Sequence, residues 1–319
     1  MDDASQSKEA IQPLLRLLEE LQQLGSLEPN EANLQKIQKL ERRIDETCQR
    51  LTPWQKTLLA RHPLRPYTLD YIEQLFDDFQ ELHGDRKYGD DPSIVAGMAR
   101  FRGEPVAVVG HQKGRDIKQK VHRNFGMPNP EGYRKALRVL ELAQKFGRAA
   151  VIFVDTPGAY PGIGAEERGQ AEAIANNLKQ MVRLRIPLVV TITGEGGSGG
   201  ALAIAVGDVI NMLEHAVYSV ISPEGCASIL FRDAAKAPEA ANSMRGTAQS
   251  LLELEVIDHI VPEPRGGAHT DPRRAAELVG ERIAEDLEQL NRLPIDQLLE
   301  RRYHKFRGMG RYRQAPVPG

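Results

Sequence analysis

The chain has 319 residues, and its 42 lysines and arginines against 44 aspartates and glutamates leave a formal net charge of −2. This length allows a sizeable core, in one large domain or two modest ones. The near-neutral charge gives no electrostatic case for binding nucleic acid or an anionic membrane. No apolar run approaches the roughly 18 residues that would span a bilayer.

The N-terminus and the cysteines bear on where the protein works. The chain begins Met1-Asp2-Asp3, without the basic and apolar segments of a signal peptide. Two cysteines, Cys48 and Cys226, are too few for a disulfide framework or a four-cysteine zinc site. We therefore expect a cytoplasmic protein, and we expect no metal on this chain.

Two helices are predicted at the start of the chain. Apolar residues recur at three- and four-residue spacings over 11–21 and again over 34–51. Gly25 is a stop signal for the first helix, and Asn30 is a start signal for the second. Two such stripes joined by a short turn predict a helical hairpin, so residues 1–52 are interpreted as an arm that covers the core or binds a partner.

The middle of the chain, residues 53–270, is predicted to be an α/β core. A β-hairpin is predicted over 93–110, where two apolar runs flank a polar turn. Apolar runs at 149–154 and 187–193 each lead into a glycine-rich segment and then a helix, an alternation typical of α/β domains. The other predicted elements are a polar loop at 112–129, helices at 131–146 and about 165–184, and short strands at 209–213, 217–221 and 257–261.

Residues 271–319 are predicted to hold one long helix and a tail. Apolar residues fall on one helical face throughout 271–290. The segment 301–319 is basic and ends with prolines and a glycine, so we expect a poorly ordered terminus there.

Two glycine-rich segments follow apolar strands, at Asp155–Gly164 and at Gly194–Ala201. The second has five glycines in the seven residues 194–200, which is costly in chain entropy and so indicates a function. Glycine lets a ligand approach the backbone, and bare N–H groups attract negative charge. The segment is therefore predicted to bind phosphate or to form an oxyanion hole for a carbonyl oxygen, with purely structural glycines as the remaining alternative.

A dinucleotide site is one alternative for the second segment. Gly194, Gly196 and Gly199 match the fingerprint G-x-G-x-x-G, and Glu214 follows at about the expected distance of ~20 residues. The helix after the glycines has little room before Asp208, however, against an average length of about 11–12 residues.

A serine hydrolase is a second alternative. Gly196–Gly200 matches the elbow G-x-S-x-G, whose triad would draw on Asp258 and on His259 or His269. Asp258 and His259 are adjacent, which is poor triad geometry. No P-loop sequence occurs, so phosphoryl transfer is not expected.

Six motifs occur in order along the chain. They are Arg61-His62-Pro63 with Arg65-Pro66-Tyr67-Thr68, His111-Gln112-Lys113-Gly114-Arg115, Asn124-Phe125-Gly126-Met127-Pro128, Asp155–Gly162, Gly194–Ala203 and Ser222–Ala227. With these motifs the chain resembles the carboxyltransferase alpha subunits of bacterial acetyl-coenzyme A carboxylase, most specifically over residues 53–269. Residues 1–50 and the tail after Leu290 contribute little to the resemblance.

The resemblance implies a crotonase-like α/β fold, a spiral of ββα units with an N-terminal helical hairpin and C-terminal helices. It implies transfer of a carboxyl group from carboxybiotin to acetyl-CoA, which yields malonyl-CoA for fatty-acid synthesis. The implied partners are a beta subunit with a zinc ribbon, in an α2β2 assembly, together with biotin carboxyl carrier protein and biotin carboxylase. The sequence has no Met-Lys-Met biotinylation site and no ATP-binding loop, so biotin attachment and ATP use belong to other chains.

The resemblance also implies the site residues. Backbone N–H groups of Gly199 and Gly200, with Ala201, would hold the ureido oxygen anion that remains when carboxybiotin releases CO2. The ureido nitrogen would take the α-proton of acetyl-CoA, so no side-chain base is required. The residues expected to bind biotin or coenzyme A are Gly158, Tyr160, Gly162, Gly164, Gly196, Gly197, Lys113 and Arg115.

Two of these binding roles have a plain alternative. Lys113 and Arg115 belong to a basic stretch over 113–123 that would meet the coenzyme A phosphates, or would simply form a solvated polar loop. Tyr160 would stack on biotin or coenzyme A, or would pack within its own loop.

Two competing functions need different features. A free-standing crotonase-type hydratase or isomerase needs a side-chain acid or base beside the glycine segments, and no glutamate pair is evident there. A non-catalytic interaction protein would gain nothing from so many glycines. The carboxyltransferase subunit is therefore preferred, and it is expected to be inactive by itself.

Overall fold

The structure is a computed structural model that describes residues 3–28 and 30–310. The helices are α1 (Asp3–Gly25), α2 (Glu31–Gln49), α3 (Pro53–Ala60), α4 (Thr68–Leu75), α5 (Ile117–His122), α6 (Pro130–Lys145), α7 (Ile163–Glu167), α8 (Gln170–Met181), α9 (Ser198–Leu202), α10 (Pro223–Phe231), α11 (Ala237–Met244), α12 (Ala248–Glu253), α13 (Pro272–Asn291) and α14 (Ile295–Gly308). The strands are β1 (Phe76–Glu81), β2 (Ile94–Phe101), β3 (Glu104–His111), β4 (Ala150–Thr156), β5 (Leu188–Gly197), β6 (Val209–Leu213), β7 (Val217–Ser219) and β8 (His259–Val261). None of the described helices is both long and apolar enough to cross a membrane.

The N-terminal helices α1 and α2 pack against each other as the predicted hairpin. The Asn30 side chain caps α2 and accepts a hydrogen bond of 2.8 Å from the first helical turn. Leu14 and Ile44 are buried at the seam, together with Leu59 of α3. Leu34, predicted on the apolar face of α2, is instead 51% exposed. The hairpin has its own apolar core, which α3 closes.

Eight strands of the described chain form one mixed sheet in the order β1-β2-β3-β4-β5-β6-β8, with β7 paired to β5. The pairs β1–β2 and β2–β3 are antiparallel, so the predicted hairpin over 93–110 is confirmed. The remaining pairs are parallel. Strand β4 is buried along its whole length, which explains its continuous apolar run. Because β4 and β5 are parallel neighbours, the glycine segments that follow them lie at the same edge of the sheet.

Three elements near the start of the core lie outside the sequence predictions: α3, α4 and β1. The sequence of β1 is Phe-Asp-Asp-Phe-Gln-Glu, without a β-branched residue, and among the described strands it pairs with β2 alone, at the edge of the sheet. The segment 112–129, predicted to be a polar loop, contains the short helix α5. Strand β1 takes its conformation from its neighbour β2, whereas α3 has a local start signal, a capping box between Thr52 and Gln55 with a proline in its first turn.

The predicted helix over 165–184 is wrong as a single element. Gly169 has a φ of +84°, which glycine adopts readily, and it separates α7 from α8. The predicted strand over 187–193 is longer in the structure, because β5 continues to Gly197. The helix after it, α9, has only 5 residues.

The prediction of a poorly ordered tail from residue 301 is wrong for 301–308, which belong to α14. Arg302 is buried, and its guanidinium binds the Asp208 carboxylate at 2.6 and 2.8 Å. It also donates to three backbone carbonyls within 181–186. These partners are distant in sequence, so the basic composition of the segment does not reveal them. Residues 311–319 of the predicted tail lie outside the described residues.

Helix α13 matches the helix predicted over 271–290, and its Val279 and Ile283 side chains join the main core. The Asp271 side chain caps it by accepting a hydrogen bond of 2.9 Å from the first turn. The division of the chain into segments 1–52, 53–270 and 271–319 stays a prediction.

Candidate active site

The two glycine segments are in direct backbone contact. A Cβ on Gly200 would lie 2.3 Å from the Ala159 nitrogen and 2.4 Å from the Gly158 carbonyl carbon. A Cβ on Gly197 would lie 2.0 Å from the Pro157 oxygen. A side chain at either position would force the segments apart, so this close approach requires glycine.

The chain turns sharply between β5 and α9. Ser198, the first residue of α9, has a φ of +50°, which is uncommon for a residue with a side chain. The N–H groups of Gly199 and Gly200 follow, in a first turn that has no earlier carbonyls to bind. Within residues 3–28 and 30–310, nothing accepts a hydrogen bond from the Ala159 N–H. Backbone N–H groups from two segments thus lie close together, and an oxyanion hole is built from two such donors.

Five charged side chains next to these segments form what we call the ion-pair cluster: Arg61, Lys113, Asp155, Glu195 and Glu224. The Lys113 Nζ lies 2.7 Å from Asp155 Oδ1 and 3.0 Å from Glu195 Oε2. The Arg61 Nε lies 2.6 Å from Glu195 Oε1, and its terminal nitrogens bind Glu224. Burial opposes ionisation of Glu195, but Lys113 and Arg61 outweigh it and lower the pKa of Glu195 to about 2. Glu195 is therefore a carboxylate at neutral pH.

The structure brings most of the predicted site residues to one place. Gly199, Gly200 and Ala201 lie in α9, Gly196 and Gly197 end β5, and Gly158, Tyr160, Gly162 and Gly164 lie between β4 and the first turn of α7. The Tyr160 ring packs on Gly162, where a Cβ would lie 2.4 Å from a ring carbon. These positions are compatible with the predicted binding of biotin or coenzyme A, which stays a prediction.

The two basic residues of the predicted set lie in different surroundings. Lys113 belongs to the ion-pair cluster, and only 14% of its side chain is exposed. Arg115 is more exposed, binds Asp70 and stacks its guanidinium on the Tyr67 ring at 4.8 Å. Binding of coenzyme A phosphates by either residue stays a prediction, but their charges are already paired within the chain.

The ion-pair cluster is the part of the site that sequence reasoning missed. The motifs contain Arg61 and Asp155 without indicating their role, and Glu195 stands among glycines. One signal was available: Asp155 and Glu195 each follow a run predicted to be a buried strand, where a charge needs a partner. The sequence does not reveal that the partner is Lys113.

The structure disfavours the dinucleotide and serine-hydrolase interpretations. The first two glycines of the dinucleotide fingerprint lie within β5 and not in a turn after it. The His269 ring stacks on His62 with 3.8 Å between centroids, and the His259 ring faces Asp286 at 3.9 Å. In the described chain, no histidine hydrogen-bonds Ser198, so the elbow lacks its base.

An apolar groove opens beside Gly199. Its lining includes Leu202 and Val220, which are 39% and 83% exposed. On α10, Ile229 and Leu230 are also exposed, at 70% and 66%. Several solvent-exposed apolar side chains close together indicate a surface that another molecule covers.

Comparison with known proteins decides the family. A family model described as "Acetyl co-enzyme A carboxylase carboxyltransferase-like" matches residues 6–310. The chain belongs to this carboxyltransferase family. A relative named acetyl-coenzyme A carboxylase carboxyl transferase subunit alpha, from Geobacter sulfurreducens, is 59% identical over 273 residues, covering 86% of each chain. Another of that name, from Nitrosospira multiformis, is 58% identical over 268 residues, or 84% of this chain and 83% of the relative. The resemblance inferred from the motifs is confirmed.

Solved structures share the fold of this carboxyltransferase family member. Transcarboxylase 12S aligns with a TM-score of 0.56 and 21% identity, over 80% of this chain and 44% of that chain. The beta subunit of P. aeruginosa geranyl-CoA carboxylase aligns with a TM-score of 0.55 and 15% identity, over 77% and 46%. The MdcD-MdcE hetero-dimer of Pseudomonas malonate decarboxylase aligns with a TM-score of 0.55 and 20% identity, over 68% and 89%.

These comparisons establish the fold and disfavour one of the competing functions. The predicted crotonase-like α/β fold is confirmed, because the structural neighbours are carboxyltransferases of that fold. The chain spans less than half the length of the transcarboxylase 12S chain. Membership in a carboxyltransferase family does not favour a free-standing hydratase or isomerase.

Proposed function

We propose that the chain is the alpha half of an acetyl-CoA carboxyltransferase, which works only with a beta-type subunit. The reaction moves the carboxyl group of carboxybiotin, held on a separate carrier protein, to acetyl-CoA and gives malonyl-CoA. The observation that carries the proposal is the contact of Gly197 and Gly200 with 157–159, which brings backbone N–H groups of the two segments close together. The family match over residues 6–310 supports the choice of substrates.

The residues at this contact suit an anionic oxygen. Carboxybiotin, when bound, supplies the carboxyl group and a ureido oxygen on which negative charge develops. The N–H groups of Gly199, Gly200 and Ala159 would stabilise that charge, and loss of one such donor typically costs about 2.7–4 kcal/mol. A Cβ added to Gly158 would meet only the Gly197 oxygen, at 4.0 Å, so there is open space for a ligand beside the donors.

Other parts of the reaction would belong to other chains. Among the described residues, no group of three or more His, Cys, Asp or Glu side chains is suited to a metal, so we assign the zinc ribbon to the beta-type subunit. Biotin would arrive on biotin carboxyl carrier protein, and biotin carboxylase would use ATP to load it. An α2β2 assembly and a cytoplasmic location stay predictions.

We propose further that the beta-type subunit covers the apolar groove beside Gly199. Leu202 and Val220 of the groove are exposed next to the donors, so a subunit seated there would enclose the reacting groups. The similar MdcD-MdcE structure of Pseudomonas malonate decarboxylase is a hetero-dimer.

The reverse reaction tests the proposed function. Malonyl-CoA-dependent carboxylation of biocytin is measured with the chain alone, with a beta-type subunit alone and with the two mixed. We expect activity only in the mixture, because neither chain holds both halves of the site. Activity of the chain alone would contradict the division of labour, and an inactive but proven complex would contradict acetyl-CoA as the acceptor.

Val220→Asp tests the groove as the subunit interface. A buried aspartate without a partner opposes association, so we expect the Kd for the beta-type subunit to rise about 30-fold, as for a hot spot worth about 2 kcal/mol. Val182→Asp is the matched control, since Val182 is also an exposed valine, at 40%, but ends α8 away from the groove. Sedimentation velocity measures the Kd of each variant for the beta-type subunit. Equal Kd values for the two variants would show that the interface lies elsewhere.

A further inference from the structure

Lys113 connects the two glycine segments through their carboxylates. Asp155, the first residue of the first segment, lies in β4, and Glu195 of the second segment lies in β5, three residues before Ser198. The Lys113 Nζ contacts Asp155 Oδ1 at 2.7 Å and Glu195 Oε2 at 3.0 Å. Asp155 Oδ1 also accepts a hydrogen bond of 2.9 Å from the Glu195 N–H. The Lys113 ammonium group thus links the ends of β4 and β5, from which the two glycine segments continue.

The surroundings of Lys113 hold it in this position. Its side chain is 14% exposed, while those of Asp155 and Glu195 are 1% and 11% exposed. The Gly126 backbone packs on its stem, since a Cβ there would lie 2.6 Å from the Lys113 Cγ. Burial disfavours the ammonium, but the two carboxylates raise the pKa of Lys113 above its usual range. A coenzyme A phosphate would have to compete with two enclosed carboxylates for this charge.

Without Lys113, the two carboxylates would repel each other across the strands. Among the described residues, Lys113 is the one cation within ion-pair distance of Asp155, whereas Glu195 keeps Arg61 at 2.6 Å. Asp155 has no room to turn aside, because the Gly194 backbone packs on it and a Cβ there would lie 2.4 Å from its Oδ1. Repulsion would therefore be relieved by movement of the strand ends that carry the glycine segments.

We propose that Lys113 is a positioning residue, which holds Asp155 and Glu195 together and thereby sets the spacing of the Ala159 and Gly200 backbone donors. This inference rests on the proposed function for its effect on catalysis. It assigns Lys113 to neither substrate, and so differs from binding of coenzyme A phosphates.

The test compares Lys113→Met, Lys113→Arg and the control Lys179→Met, which removes an exposed lysine of α8. The reverse reaction is measured in the complex with the beta-type subunit. We expect Lys113→Met to lower kcat about 100-fold, as misplacement of a donor by about 1 Å does, with the KM for malonyl-CoA changed less than about twofold. Lys113→Arg restores part of kcat because it keeps the charge, and Lys179→Met matches the wild type.

A second readout does not depend on activity. Amide hydrogen exchange of the full chain is compared for peptides that cover 156–164 and 196–203. We expect faster exchange in both segments of Lys113→Met and restored protection in Lys113→Arg. If the wild-type complex proves inactive, the proposed function fails while this comparison still decides whether Lys113 holds the segments.

Three results would overturn the inference. They are an unchanged kcat with unchanged exchange, a large rise in the KM for malonyl-CoA at normal kcat, and exchange that accelerates in only one segment. If Lys113→Met does not fold, Lys113→Gln takes its place, because it also removes the cation while its polar amide can still hydrogen-bond a carboxylate. Normal kcat and normal exchange in Lys113→Gln would equally overturn the inference.

Discussion

Gly200→Ala is expected to lower the kcat of the reconstituted complex by at least about 100-fold, the typical result of losing one oxyanion donor. The added Cβ would lie 2.3 Å from the Ala159 nitrogen and 2.4 Å from the Gly158 carbonyl carbon. Both neighbours are backbone atoms, so they cannot turn aside as the end of a flexible side chain does. The two segments must separate, and a displacement of about 1 Å is enough to cost about 100-fold in rate.

Two alanine variants control for the loss of glycine itself. A Cβ on Gly199 would meet only Ile174, at an ordinary contact distance of 3.7 Å, so Gly199→Ala should lose far less activity than Gly200→Ala. A Cβ on Gly89 would meet nothing within 4 Å, so Gly89→Ala should match the wild type. Steady-state kinetics of biocytin carboxylation measure all three, with sedimentation to verify the complex. If Gly200→Ala were as active as Gly89→Ala, the two segments would not form the site together.

Arg65→Met is expected to lower the free energy of unfolding by about 3–5 kcal/mol, the usual effect of removing one partner of a buried ion pair. Arg65 and Glu263 have fully buried side chains, joined by two hydrogen bonds of 2.6 and 2.8 Å. The Arg65 Nε also donates to the Thr193 carbonyl at 2.6 Å, at the point where β5 enters the glycine segment. The variant leaves a buried carboxylate without its cation and a carbonyl without its donor.

The effect of Arg65→Met depends on pH in a defined direction. Burial opposes ionisation of Glu263, but the charge of Arg65 outweighs it and lowers the pKa of Glu263 to about 2, from a usual value of 4.5. The pair therefore stabilises the wild type above about pH 4.5, and this contribution is lost as the pH falls towards 2. Without Arg65, the pKa of Glu263 rises above its wild-type value, so its carboxylate protonates at a higher pH in the variant, and lowering the pH reduces the destabilisation.

Urea unfolding followed by circular dichroism measures the free energy of unfolding of wild type and Arg65→Met at pH 7 and at pH 4. We expect the gap between the unfolding free energies of wild type and Arg65→Met to narrow at the lower pH. Arg292→Met is the matched control, because it breaks an ion pair whose side chains are 72% and 67% exposed. A gap that widened on acidification would contradict the assignment of the lost stability to Glu263.

The sequence alone was sufficient where a segment's own residues determine its structure. The hairpin of α1 and α2, the β2–β3 pair and β4 follow from apolar spacing, because burial of one face or of a whole strand imposes that spacing. The glycines of 194–200 identified the functional segment, because few uses other than close backbone approach require so many. Several long motifs in order were enough to identify the family.

Only the tertiary structure decided features that depend on distant partners. The edge strand β1 takes its conformation from β2, and α14 is ordered because Arg302 reaches Asp208 and carbonyls near the end of α8. The ion-pair cluster joins Arg61, Lys113 and Glu195, which no local pattern connects. The glycine segments become one site because β4 and β5 are parallel neighbours, and pairing between strands is a property of the folded chain, not of either segment.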